Sequence, residues 1–132
     1  MSKIKIVDSD HTQIELDISE EHNLRDLLYN LLKQEPRVVI IEISNIGIFT
    51  LGVGLPYGCV QYSKDWEPPY LMALNSATSL ETSSDDELEF DSGGTPTPIP
   101  LRQCLPFDQV VGIVIYCFKN KELPQYIKWE EI

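Results

Sequence analysis

The sequence is poor in basic residues: it has 10 Lys and Arg against 21 Asp and Glu, which gives a formal net charge of −11. Binding to nucleic acid or to anionic membranes normally depends on Lys and Arg at phosphates. The shortage therefore argues against both kinds of partner. It favours a basic protein partner, since opposite charges speed encounter and help to select the partner. Acidity can also serve solubility alone, so charge leaves both interpretations open.

Cysteine is scarce, and its three copies (Cys59, Cys104 and Cys117) form no CxxC pair. This excludes the usual disulfide frameworks and structural zinc sites, and it predicts buried free thiols in a reducing compartment. The N-terminus becomes polar within a few residues, and no apolar run is long enough to span a membrane. We therefore expect a cytoplasmic protein.

Sequence signatures of catalysis are missing as well. His11 and His22, the only histidines, lie in polar sequence without a neighbouring catalytic partner, so we interpret them as surface residues. Gly52-Val53-Gly54 lacks the spacing and the following helix of a nucleotide-binding loop. The acidic run 85–91 lacks the spacing of a calcium loop. We predict no catalytic residue, no metal and no cofactor; an enzyme whose carboxylates converge only in space is the least favoured alternative.

The pattern of apolar residues predicts one α+β domain over residues 1–132. Its length suits a single domain, and 42% of its residues are hydrophobic, which is ordinary for a folded protein. Leu24 to Leu32 has helical spacing. Residues 106–121 have the composition of a buried strand, but the spacing of apolar residues from Phe107 to Phe118 favours a helix. Short strands are predicted at 3–7, 13–18, 37–43, 48–53, 59–62, 70–74 and 126–129, with 37–43 buried on both faces. We expect a largely antiparallel sheet with both helices packed on one face.

Residues 75–98 differ from the rest of the chain because they are rich in Ser, Thr, Asp, Gly and Pro. This composition predicts a flexible polar and acidic loop, with at most one short strand at 87–90. The wider segment 61–101 carries eight acidic residues and one basic residue, Lys64. A strongly acidic surface is therefore expected around the middle of the chain.

Two stretches of the sequence together match the pattern of a known protein family. The first is IFTLGVGLPYGCVQYSKDWEPPYLMAL, from Ile48 to Leu74. The second comprises an acidic strand, Gly93-Gly94-Thr95, Ile99-Pro100, a helix through Phe118, then Leu123-Pro124 and Ile127-Lys128-Trp129-Glu130. These stretches resemble the immunity proteins of family 1 from bacterial polymorphic toxin systems. Members of that family often carry a glycine after the last helix, where this chain has Asn120-Lys121-Glu122.

The resemblance implies a protein that binds a cognate toxin domain in the producing cell and blocks it stoichiometrically, without turnover. Several relatives neutralise deaminase toxins that act on nucleic acid, so we expect a basic toxin as partner, and neither nucleic acid nor membrane. The alternative is a small acidic accessory or regulatory subunit of another cytoplasmic complex. Monomer and weak dimer both remain open.

The predicted contact residues combine acidic side chains with aromatic residues beside prolines, which make good interface anchors. The alternative for the aromatic residues is that they cap the end of the sheet. The predicted contacts are Tyr57, Tyr62, Asp65, Trp66, Asp85, Asp86 and Glu87.

Overall fold

The computed structural model describes residues 2–8, 12–75 and 87–132. The strands of these ranges are β1 Ser2–Val7, β2 Gln13–Ile18, β3 Arg37–Ile43, β4 Gly47–Val53, β5 Tyr57–Ser63, β6 Leu71–Leu74, β7 Glu87–Ser92, β8 Thr95–Pro100, β9 Leu105–Pro106 and β10 Lys128–Glu131. The helices are α1 Glu21–Leu32 and α2 Phe107–Asn120, and a short 3-10 helix spans Leu101–Gln103.

Seven of the ten described strands lie side by side in the order β10-β6-β5-β4-β3-β1-β2, and the other three pair with members of this series or with one another. Every neighbouring pair along this order is antiparallel. The described part of the chain has one parallel contact, where Asp91 of β7 lies beside Arg37 of β3. The predicted α+β class, with a largely antiparallel sheet and two helices, is therefore confirmed.

One face of the sheet lies against the two helices and forms the main core. Val39, Ile41 and Ile43 of β3 point into it, together with Leu24 of α1 and Val110 of α2. The intervening residues of β3 are only partly buried. The prediction that β3 is buried on both faces is therefore wrong: its β-branched composition reflects strand propensity as much as burial.

The helix predicted near the C-terminus is confirmed as α2. Pro106 precedes its first turn, a position that needs no N–H donor. Lys121 directly follows the helix; it has a left-handed φ of 58° and donates its N–H to the Cys117 carbonyl oxygen at 2.8 Å. This is the position at which helices prefer glycine. Lys121 thus adopts the left-handed conformation that a glycine usually provides at this position.

The second face of the sheet is partly covered by the β7–β8 hairpin. Phe90 is fully buried there against Cys59 and Met72. The strand expected at 87–90 is present and runs on to Ser92, and β8 stands where the loop was expected to continue. The earlier part of that predicted loop, residues 76–86, lies outside the described residues. The hairpin gives the central strands a second, smaller core.

Candidate partner-binding surface

The predicted contact residues of β5 and its flanks do not form a single patch. Tyr57 is the first residue of β5 and pairs with Pro106, whereas Asp65 and Trp66 follow the last residue, Ser63. A strand advances about 3.3 Å per residue, so the two groups are about 20 Å apart. Either end could contact a partner, but a small contact would not include both.

Most of the Tyr62 side chain packs within the protein. Its hydroxyl donates to the Ile46 carbonyl oxygen at 2.7 Å, and its ring lies 5.3 Å from that of Phe49. Burial raises the pKa of this hydroxyl. Gly47 leaves space for the ring, since a Cβ there would overlap it. Tyr62 therefore supports the β3–β4 turn, and little of it remains for a partner.

The segment after β5 holds Trp66 on the surface in a defined conformation. Trp66 is 51% exposed and has a φ of 69°. The Tyr70 hydroxyl donates to the Trp66 carbonyl oxygen at 2.6 Å, and the Ser63 hydroxyl donates to the Glu67 carbonyl oxygen at 3.2 Å. These bonds close the loop on itself, so an exposed indole is presented on a braced backbone.

An open groove of about 600 Å³ lies beside this indole. Its walls come from the β3–β4 turn and from the segment after β5, and its ionisable lining residues are Glu42, Lys64 and Asp65. Asn45, in the turn, has a left-handed φ of 67°. The position of this turn beside Trp66 could not be predicted from the sequence, because only the pairing of β3, β4 and β5 brings the two together.

The acidic candidates lie elsewhere. Glu87 is exposed at the start of β7, opposite Pro100 of β8. Asp85 and Asp86 lie outside the described residues. The described geometry therefore brings together Asp65 and Trp66 from the predicted set, and it adds Glu42, which was not among the predicted contacts. The sequence around Glu42 did not indicate a contact residue, because Glu42 is a single polar residue in an otherwise apolar strand.

The buried thiols are held in their protonated form. Burial raises the pKa of Cys59 and of Cys117 to about 12, and that of Cys104 to about 11. A thiol must ionise to act as a nucleophile, so these side chains pack as small apolar groups. Within residues 2–8, 12–75 and 87–132, no three His, Cys, Asp or Glu residues cluster in a way that could hold a metal ion.

The comparison with protein families gives a direct result. The model of the family described as Immunity protein Imm1 matches residues 10–131. The chain belongs to this family. No curated protein matches the sequence.

Membership of the Imm1 family confirms the predicted immunity protein. It implies a cognate toxin as partner and the role of an inhibitor. The match runs from the β1–β2 connection to the end of β10, so both helices and the groove beside Trp66 lie within it. In the described part of this Imm1 protein, neither helix is long and apolar enough to cross a bilayer.

Proposed function

We propose that this Imm1 protein binds the toxic domain of its cognate toxin one-to-one in the cytoplasm of the producing cell, and that the toxin is a basic domain acting on nucleic acid, such as a deaminase. The protein acts by occupying the toxin and performs no chemistry of its own. Toxins of this class need a basic cleft for their substrate. A protein with a net charge of −11 is electrostatically suited to such a cleft.

The observation that carries the proposal is the exposed Trp66 on its braced loop beside the groove. Tryptophan is enriched among the residues that dominate binding energy at interfaces. Because the loop backbone is already fixed, binding loses little conformational entropy there. Glu42 and Asp65 at the groove suit a Lys or Arg of the toxin, whose cation can also stack on the indole.

The test begins by tagging the protein and capturing its partner from the producing cell. Trp66→Ala is then compared with the wild-type protein by calorimetry on the captured toxin domain. We expect the dissociation constant to rise about thirtyfold or more, as for a central anchor residue.

Tyr126→Ala is the matched control, because Tyr126 is an aromatic residue with 64% exposure that does not line the groove. It should leave the dissociation constant within about threefold of wild type. Equal effects of the two substitutions would remove the groove from the interface. Capture of a metabolic enzyme or assembly in place of a toxin would overturn the proposed function itself.

A further inference from the structure

The β2 strand forms an edge of the sheet that is open to further pairing. It ends the strand order, and among the described residues β1 is its one strand partner. Gln13–Ile18 contains no proline, so each residue keeps its N–H donor. The edge strand β8 differs, because Pro96, Pro98 and Pro100 remove every second donor. One edge of the fold is thus blocked, and β2 is not.

The polar face beside this edge has charges that alternate from strand to strand. Glu42 of β3 lies opposite Lys5 of β1, which in turn lies opposite Glu15 of β2. In the neighbouring row, Lys3 lies opposite Asp17. Opposite charges in directly paired positions stabilise a sheet, and like charges destabilise it. The next strand in both rows would therefore be favoured if it carried basic residues.

The other face of β2 continues the apolar rows of the main core. Ile41 of β3 lies opposite Ile6 of β1, which in turn lies opposite Ile14 of β2. Leu16 is the β2 residue of the next apolar row. Ile14 is 49% exposed and Leu16 is 37% exposed. A strand added here would be favoured if apolar residues alternated with its basic ones.

A second copy of this chain does not meet these requirements. β2 has no basic residue to place opposite Glu15 in any register. Antiparallel pairing of two β2 strands centred on Glu15 or on Leu16 sets Glu15 against Glu15 or Asp17 of the other copy. Such pairs repel one another, and natural proteins use charges in this way to prevent edge-to-edge self-association. The edge therefore favours a strand of different sequence.

We propose that β2 docks a strand of the toxin domain in which basic and apolar residues alternate, so that the sheet continues into the partner. The site adjoins the groove beside Trp66: a smaller hollow of about 240 Å³, lined by Lys3, Lys5, Glu15, Glu42 and Ser44, shares Glu42 and Ser44 with it. The identity of the partner rests on the proposed function, whereas the strand chemistry rests on β2 alone.

The test uses the full chain and a short capped peptide of alternating lysine and valine. Amide hydrogen exchange of β2 is followed by NMR with and without the peptide at low salt. Main-chain hydrogen bonds from an added strand should slow exchange at alternate residues of 13–17 by about tenfold or more. The control is a peptide of the same composition with its lysines and valines in separate blocks, which should leave exchange in β2 unchanged.

The variant Glu15→Lys with Asp17→Lys tests the charge requirement. Both side chains are exposed. The new lysines lie opposite Lys5 and Lys3, which weakens the pairing of β1 with β2. Circular dichroism therefore verifies the fold, and the effect of each peptide is measured relative to exchange in the same variant without peptide. The variant should lose the effect of the lysine–valine peptide and gain one from a glutamate–valine peptide. If Glu15 and Asp17 only stabilised the fold, their replacement would not reverse which of the two peptides slows exchange in β2.

The proposal is overturned if exchange in β2 does not slow, if the block peptide slows it equally, or if charge reversal fails to switch the preference. Slowing that depends on protein concentration alone would assign the edge to a second copy and would also overturn it. None of these measurements needs the toxin, so they remain decisive even if capture shows that the proposed function is wrong.

Discussion

Gly52 lies where the second core is tightest. It pairs with Cys59 across β4 and β5, and Phe90 of the hairpin packs over it. A Cβ at this position would lie 2.8 Å from the Cys59 sulfur and 2.9 Å from the ring of Phe90. The absence of a side chain is therefore what allows a fully buried phenylalanine to reach the sheet.

Gly52→Ala should lower the free energy of unfolding by about 1–3 kcal/mol, because Phe90 and Cys59 must shift in a close-packed core. Gly112→Ala is the control: Gly112 lies in α2, a Cβ there would meet open space, and alanine favours helix. It should raise the free energy by up to about 1 kcal/mol. Urea unfolding measures both, and equal values would contradict the packing described for Gly52.

At the level of the element, the β7–β8 hairpin depends on its turn. Gly93 and Gly94 have φ of 60° and 91°, and they connect the paired residues Ser92 and Thr95. Positive φ at both central residues is typical of the type I′ turn, which matches the twist of paired strands. The turn thereby sets the register that places Phe90 over the sheet.

Replacing both glycines by alanine should cost about 2–3 kcal/mol, since each alanine must adopt a left-handed conformation. Gly93→Asn alone should cost much less, because asparagine tolerates that conformation and Asn-Gly is a preferred type I′ pair. Thermal unfolding of the two variants provides the comparison. A double alanine variant as stable as Gly93→Asn would show that the turn does not control the hairpin.

For the whole molecule, the three buried thiols link stability to pH. Their raised pKa values mean that the unfolded chain, with ordinary values of 9.0, releases these protons before the folded chain does. The stabilisation is complete below pH 9.0 and is lost as the pH rises towards about 11 and 12.

The free energy of unfolding should accordingly fall between pH 8 and pH 10, by on the order of 1 kcal/mol for each thiol. Urea unfolding across this range measures the slope. Cys117→Ala should make the slope shallower, since it removes one of the three groups, although the variant is less stable at pH 8 because it leaves a cavity. An unchanged slope would assign the pH dependence to tyrosine and lysine side chains.

Features that depend on neighbours along the chain could be predicted from the sequence alone. The helical spacing of apolar residues from Phe107 to Phe118 favoured α2, and the alternation of polar and apolar residues predicted β1 and β2. Such predictions are possible because the buried face of an amphipathic element is visible in the pattern of its own residues. The two stretches that resemble family 1 were also sufficient to indicate an immunity protein, which the Imm1 match confirms.

Features that depend on strand pairing became visible only in the folded chain. Three prolines disfavoured a strand at β8, yet an edge strand needs donors only at alternate residues, and the pairing with β7 supplies that arrangement. Likewise, the length of β5 separates Tyr57 from Trp66, while the register of β3, β4 and β5 brings Glu42 beside Trp66. Contacts between residues far apart in the chain depend on register, and no single segment carries that information.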